Sequence, residues 1–189
     1  MTGLSPAKQY FYKVKTTGYT SSESETASFC TKDRYEDNNT LDSATPISWA
    51  GEIFNGTIHD SNDEDYYTVS LDKTGIIYLT LEDIPADCDY DLWLADQDGN
   101  ALAYSSNYGD VDEAIVYIAE PGTYYAVIEC YRRYKGDAPY SFTYDFEPLN
   151  LNSAEVIDEL HYGGDGVYSA TGNYSKTFSD LNFTNTAYD

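Results

Sequence analysis

The sequence predicts an all-β fold, and three observations support that prediction. Apolar and polar residues alternate with period two in many short runs, which is the spacing of a strand with one buried face. No window sustains the apolar period of a helix. Aromatic residues make up 16% of the chain, with 21 Tyr among them, and such residues are typical of packed sheets.

The predicted strands follow one another along the chain with turn signals between them. The pattern is clearest in the segments 9–16, 65–71, 76–81, 90–95, 100–104, 114–119, 123–131 and 140–146. Short strands at regular spacing are typical of a β-sandwich. The acidic stretch 96–100 lacks the twelve-residue loop and final Glu of an EF-hand calcium site, so we interpret it as a hairpin turn that needs Gly99.

Length and charge bound the possible partners. The 189 residues are enough for one large or two small domains. Ten Lys and Arg stand against 33 Asp and Glu, giving a net charge of −23, which disfavours nucleic acid and anionic lipid and favours cations. No run approaches the roughly 20 apolar residues of a membrane span, and no signal-peptide pattern opens the chain, so we expect no membrane insertion.

Three cysteines, Cys30, Cys88 and Cys130, show neither CxxC spacing nor the Cys/His spacing of a zinc site. Two interpretations stay open. Cys88 and Cys130 could form a disulfide, or both are small buried residues on strands, and Cys30 is left over in either case.

Seven short motifs give the middle of the chain a family resemblance. They are EDNNT at 36–40, DSATPI at 42–47, NGTI at 55–58, DEDYYTV at 63–69, DYDLWL at 89–94, GTYY at 122–125 and PYSF at 139–142. On these motifs the segment 31–147 resembles the bacterial pre-peptidase C-terminal domain, a family that includes the collagen-binding domains of clostridial collagenases. The resemblance implies a jelly-roll-like β-sandwich that binds calcium where the N-terminal linker meets the first strands.

The resemblance also implies a set of calcium ligands. Carried over position by position, they are Glu36, Asn38, Asn39, Thr57 through its carbonyl, Asn62, Asp63 as a substitute, and Asp65. Oxygen donors of these types suit Ca²⁺, which takes six to eight of them. This sequence has Arg34 where a further acidic ligand is usual, and His59 is expected in a loop near the ion. The alternative is that the acidic and amide residues form solvated turns.

The two ends of the chain resemble parts of another kind of domain. Residues 1–30, with LSP at 4–6 and QYFYKV at 9–14, resemble the second half of a fibronectin type III domain, and the C-terminal segment 148–189 resembles its earlier strands, most clearly from 167 to 189. A half-sandwich has unpaired strand edges that must be completed. Three arrangements are compatible with this: one unit of a tandem array, a subunit that completes its neighbour head-to-tail, or a circular permutant.

Catalytic motifs are missing from the sequence. His59 and His161 are the only histidines, and no HExxH, GxSxG, GxxxxGK or GxGxxG occurs. For Asp89 and Asp91 we expect hydrogen bonds at a turn and strand end. Tyr131 matches a collagen-contacting tyrosine of the collagenase relatives, although Glu129 replaces another.

We therefore expect a non-catalytic protein that is secreted or at the cell surface. The first hypothesis is a structural unit of an extracellular fibre or stalk, which pairs with itself or with neighbouring repeats. The alternative is an accessory module of a secreted hydrolase that binds an extracellular protein or glycan, since exposed tyrosines suit such recognition.

Overall fold

The computed structural model describes residues 3–19 and 21–149, together with the backbone of a strand at 167–169. The all-β prediction is confirmed, since these residues contain strands and one short 3₁₀ turn (Leu41–Ser43) but no α-helix. None of their elements is a helix long and apolar enough to cross a membrane. The strands are β1 Gln9–Tyr12, β2 Lys15–Thr16, β3 Ser22–Glu23, β4 Ala27–Cys30, β5 Thr45–Pro46, β6 Glu52–Phe54, β7 Glu64–Leu71, β8 Gly75–Glu82, β9 Asp89–Ala95, β10 Ala101–Ser105, β11 Glu113–Ala119, β12 Gly122–Arg132, β13 Ser141–Pro148 and β14 Val167–Ser169.

Two five-stranded sheets form a sandwich. The first sheet has the order β10-β9-β12-β7-β5, and the second has the order β14-β11-β8-β13-β6. All pairs within them are antiparallel except β5 with β7. The strands β9, β12 and β7 stand in the middle of the first sheet, so their ends lie side by side.

The core lies between the inner faces of the sheets. Tyr67, Leu92 and Ile128 of the first sheet pack in one buried cluster with Leu79 and Phe142 of the second. The rings of Tyr67 and Phe142 are 4.8 Å apart between centroids. Burying a side chain of this size stabilises the fold by roughly 1.5–3 kcal/mol, so these aromatic residues contribute strongly to the core.

Most predicted strands are confirmed to within one or two residues. The exceptions are short. β5 and β6 contain two and three residues and carry no alternation that the sequence could reveal; both depend on pairing with distant strands. The predicted hairpin at 96–100 is confirmed: Gly99 has φ +80°, and Asp96 Oδ1 accepts from the backbone N–H groups of Asp98 and Asn100 at 2.9 and 2.8 Å.

The single strand predicted at 9–16 is instead two strands of a broken hairpin. β1 pairs with β4 and β2 with β3, but the register moves by one residue between Tyr12↔Ala27 and Lys15↔Glu23. One extra residue on the returning chain is a β-bulge, which interrupts the ladder. The hairpin leaves Phe11 and Val14 69% and 59% exposed.

Expectations for the C-terminal segment 148–189 fall mostly outside the described residues. Residues 150–166 and 170–189 are not described, and of the segment 167–189 the structure describes only the strand β14, so the resemblance to a fibronectin type III domain stays a prediction. β14 pairs with β11 at the edge of the second sheet, through Val167↔Tyr117 and Ser169↔Ile115. The domain boundary at 148 therefore stays a prediction.

The cysteines are free thiols in the structure. Cys88 is buried, whereas Cys30 and Cys130 are half-buried. The Cys130 thiol donates to the carbonyl oxygen of Arg133 at 3.0 Å. The structure therefore contains no disulfide between Cys88 and Cys130.

Replacing Phe142 with Ala should lower the free energy of unfolding by about 3–5 kcal/mol, because it removes a fully buried ring and leaves a cavity. Urea denaturation measures the change. Ile53→Ala is the control: Ile53 lies on the adjacent strand β6 but is 55% exposed, so the effect should stay within about 0.5 kcal/mol. Equal losses in the two variants would contradict the described core.

Candidate functional site

Residues from two distant segments meet where the N-terminal hairpin joins the sandwich. The first segment, 33–39, leads from β4 toward the sandwich, and the second, 57–65, runs into β7. The carboxylate of Asp33 links them: Oδ2 accepts from the backbone N–H of Thr57 at 2.6 Å, and Oδ1 accepts from that of Tyr35 at 2.8 Å. The carbonyl oxygen of Asn38 accepts from Tyr66 N–H at 2.9 Å, which fixes the first segment along β7.

Glu36, His59 and Asp63 form the centre of the site. His59 Nδ1 lies 2.7 Å from Glu36 Oε1 and 2.5 Å from Asp63 Oδ2. The side chains of Glu36 and Asp63 are 1% and 0% exposed. Their potential ligand atoms all lie within 4.8 Å of one another, a spacing that could hold a metal ion. The peptide bond between Glu36 and Asp37 is cis.

Asp65 adds a further carboxylate from the start of β7. Its Oδ2 accepts from the hydroxyl of Tyr140 at 2.5 Å, and the hydroxyls of Tyr140 and Tyr67 are 2.8 Å apart. Gly56 packs against these rings, where an added Cβ would lie 2.9 Å from the Tyr67 hydroxyl oxygen, so the glycine of the NGTI motif is needed for close approach. Asp65 itself is fully buried.

Several buried polar atoms at this site make no hydrogen bond in the described structure. They are both carboxylate oxygens of Glu36, both amide atoms of Asn38, Nδ1 of His59 and Oδ1 of Asp65. The contacts of the His59 ring with its acidic neighbours are short but lack hydrogen-bond geometry, whereas the His59 backbone N–H donates to Asp63 Oδ2 at 2.7 Å. Buried polar atoms are normally paired, so a cluster of unpaired oxygens fits a cation that would lie among them.

The electrostatics of the site also favour added positive charge. Burial, followed by the negative charge of Asp63, raises the pKa of Glu36 to about 7. Burial raises the pKa of Asp63 and raises that of Asp65 well above its ordinary value. The Lys32 ammonium, 3.5 Å from Glu36 Oε2, only partly offsets this because its side chain is 47% exposed.

The predicted ligands take different positions. Glu36, Asn38, Asp63 and Asp65 are the four whose buried side chains belong to the cluster of charges and unpaired atoms. With its amide nitrogen turned toward them, Asn39 donates to Asp63 Oδ1 and to the Glu64 carbonyl oxygen, both at 2.8 Å, and so orients Asp63.

The other two predicted ligands, Thr57 and Asn62, lie on the loop before β7. Thr57 is fully buried, with its hydroxyl 3.3 Å from Asp33 Oδ2. Asn62 is exposed, and its backbone N–H donates a hydrogen bond to Asp60 Oδ1 at 2.8 Å. His59 was expected only near the ion, and its contact with both acidic side chains was missed. Tyr131 does not join this site; it is 69% exposed and lines a separate cleft.

Similar folds are found among solved structures. No family model and no curated protein matches the chain. Among solved structures, the pre-peptidase C-terminal domain of a collagenase from Bacillus anthracis is similar, at 17% identity and a TM-score of 0.41, over 55% of this chain and 94% of that one. A periplasmic inhibitor of g-type lysozyme from Aeromonas hydrophila is similar at 13% identity and a TM-score of 0.35, over 55% and 96%. Both TM-scores are below 0.5, so neither likeness assigns a family or a function.

Replacing Tyr140 with Phe should lower the free energy of unfolding in EDTA by about 1–3 kcal/mol, because Asp65 Oδ2 would lose its donor inside the protein. Chemical denaturation measures the change. Tyr144→Phe is the matched control, since Tyr144 is 3% exposed and its hydroxyl makes no hydrogen bond to a described residue. A loss in the control as large as in Tyr140→Phe would remove Asp65 as the cause.

Proposed function

We propose that the protein is a non-catalytic extracellular module in which a bound calcium ion stabilises the joint between the N-terminal hairpin and the β-sandwich. The single observation that carries this is the set of buried oxygens of Glu36, Asn38 and Asp65 that have no hydrogen-bond partner. Each such atom has lost its water on folding, and a cation restores what it has lost.

Calcium suits the donors better than a smaller ion does. Carboxylates and an amide dominate the site, and Ca²⁺ takes six to eight oxygens in a tolerant geometry. Glu36, Asn38, Asp63 and Asp65 would hold the ion. The neighbouring Thr57 and Asn62 are placed on the loop that would supply the rest. Calcium sites of extracellular modules typically have Kd values of about 10⁻⁴–10⁻³ M, and we expect an affinity in this range for a secreted or surface protein.

One donor favours a different metal. The Nδ1 atom of His59 is buried, lacks a hydrogen bond and faces both Glu36 and Asp63. Imidazole nitrogen binds Zn²⁺ and similar ions more readily than Ca²⁺. Zinc is therefore the second candidate for this site, and His59→Asn should weaken zinc binding while leaving calcium binding nearly unchanged.

The hairpin suggests how the module is used. A two-stranded hairpin is marginally stable alone, and this one exposes Phe11, Val14 and the edges of its strands. We infer that it pairs head-to-tail with segment 148–189 of another copy or of a neighbouring repeat. Assembly of this kind builds a surface fibre, stalk or tandem array.

A second candidate function is recognition of an extracellular protein or glycan. Tyr108 and Tyr131 are 73% and 69% exposed and line one cleft. Large exposed tyrosines with polar tips suit such ligands. This candidate corresponds to an accessory module of a secreted hydrolase.

Calcium at 100 times its Kd should raise the melting temperature by roughly 5–10 °C over EDTA, because it binds the native state alone. Glu36→Gln and Asp65→Asn should lose much of that gain. Asp98→Asn, an exposed change in the β9–β10 turn, is the control and should keep it. Differential scanning calorimetry measures all four proteins. Identical melting of the wild type in EDTA, calcium and zinc would remove the cation site.

Head-to-tail assembly predicts masses well above 21.2 kDa that grow with concentration. Phe11→Asp with Val14→Asp should reduce them, because charge on an apolar edge opposes pairing. Tyr104→Asp, 58% exposed on the sandwich, is the control. Light scattering with electron microscopy checks the result. A monomer at every concentration that is retained on insoluble collagen or polysaccharide would favour the accessory module instead.

A further inference from the structure

Asp89 and Asp91 begin β9, and their environment differs from what the sequence predicts. Their side chains lie on one side of the strand because they are two residues apart. The hydrogen bonds expected at a strand end do not form: neither carboxylate accepts one from any described residue, and Asp89 Oδ2 is buried without a partner. Both residues are nevertheless more than nine-tenths buried, at 2% and 8% exposed.

A nearby carboxylate shows what a satisfied group looks like in this fold. Glu113 is fully buried, but it accepts from the Ser105 hydroxyl, from Asn107 N–H at 2.5 Å and from Asn107 Nδ2 at 3.2 Å. The protein thus supplies three donors to Glu113 and none to Asp89 or Asp91. Of the four carboxylate oxygens of Asp89 and Asp91, only Asp89 Oδ2 is fully buried without a partner, and any partner of the others, water included, comes from outside the chain.

The surrounding charges are of the wrong sign to pair with them. In the sheet register Glu64 lies opposite Glu129, and Glu129 lies opposite Asp91, so three acidic residues form one row. Like charges in such positions repel. Glu129 accepts from Trp93 Nε1 at 2.8 Å and Glu64 accepts from the Tyr66 hydroxyl at 2.9 Å, which leaves Asp91 as the unpaired member.

The basic residue opposite Asp89 in the sheet hydrogen-bonds a tyrosine of the same cleft instead of the carboxylate. Arg132 lies opposite Asp89 in the register, but its guanidinium donates to the Tyr108 hydroxyl at 2.6 Å. No ion pair of the described residues involves Asp89 or Asp91. In agreement, burial and then the charge of Asp89 raise the pKa of Asp91 to about 6.

The two aspartates line an open cleft of about 270 Å³. Its lining also includes Ser106, Asn107, Tyr108 and Tyr131, all of which carry oxygen. Asn107 uses its amide nitrogen on the Asp112 carbonyl oxygen at 3.0 Å and on Glu113, which leaves the amide oxygen available. The volume exceeds that of a bare ion and leaves room for several water ligands.

We propose that Asp89 and Asp91, with the amide oxygen of Asn107, form a second cation site that takes a partly hydrated Ca²⁺. Hard oxygen donors with an open side match calcium, which tolerates irregular geometry and water ligands. The site is separate from the one at Glu36 and Asp65, and it stands whether or not that one binds metal.

The test uses calcium chloride and the full chain. Isothermal titration of the wild type should give two ions per chain. Asp89→Asn with Asp91→Asn should remove one of them, Glu36→Gln with Asp65→Asn should remove the other, and the combined variant should remove both. Asp91→Asn alone should weaken its ion at least about tenfold, a loss that even outer-shell changes at metal sites produce. Asp98→Asn should bind as the wild type does.

Terbium luminescence is a second measurement of metal binding at the proposed site. Trp93 lies two residues from Asp91 on the same side of β9, so it should sensitise the emission of Tb³⁺ bound there. The Glu36→Gln, Asp65→Asn protein isolates the proposed site: its Tb³⁺ emission should be displaced by calcium and should vanish when Asp91→Asn is added. Emission in that background that is absent, or unchanged by Asp91→Asn, would overturn the second site. Failure of the first site, at Glu36 and Asp65, to bind metal would contradict the proposed function but not the second site.

Discussion

The burial of carboxylates in a strongly acidic chain is the constraint on which the rest of this structure depends. The chain has a net charge of −23, yet Asp33, Asp63, Asp65, Asp89 and Glu113 are all buried. A buried carboxylate is tolerated only where donors or a positive charge replace its water. The alternating apolar residues of the strands form the core, whereas the acidic ends of those strands would be stabilised by donors or a positive charge.

The buried carboxylates fall into two groups, those that receive donors from the chain and those that receive too few. Asp33 and Glu113 receive backbone and side-chain donors, so each fixes a loop onto the sandwich. Other carboxylates receive too few donors, and these gather where β7 begins, β12 ends and β9 begins. In the register Asp65 lies opposite Ile128, and the next residue of β12, Glu129, lies opposite Asp91. The two proposed cation sites therefore occupy one end of one sheet, the first on its core side and the second on its outer side.

The sequence predicted the strands of the sandwich well because each of them alternates locally, as β7 and β13 do. It could not predict β5 and β6, whose two and three residues are strands only because distant strands pair with them. Four residues of the proposed first site, Glu36, Asn38, Asp63 and Asp65, were named from family motifs, and the structure brings their side chains together. The role of His59 was missed because it depends on how the loop after Ile58 turns back toward Glu36. The unpaired state of Asp89 and Asp91 depends on the absence of nearby donors, which no sequence pattern reports.

The position of the first site gives it a role beyond local stability. The segment 33–39 that carries Glu36 and Asn38 is also the connection between the hairpin β1–β4 and the sandwich. The same short stretch must therefore hold the proposed ion and set the direction in which the hairpin leaves the core. That stretch is the covalent connection of the hairpin to the sandwich, and Cys30 of β4 also lies close to Gly136 of the sandwich. An ion that orders residues 33–39 would thus also orient the exposed strand edges, and cation binding and head-to-tail pairing would be thermodynamically linked.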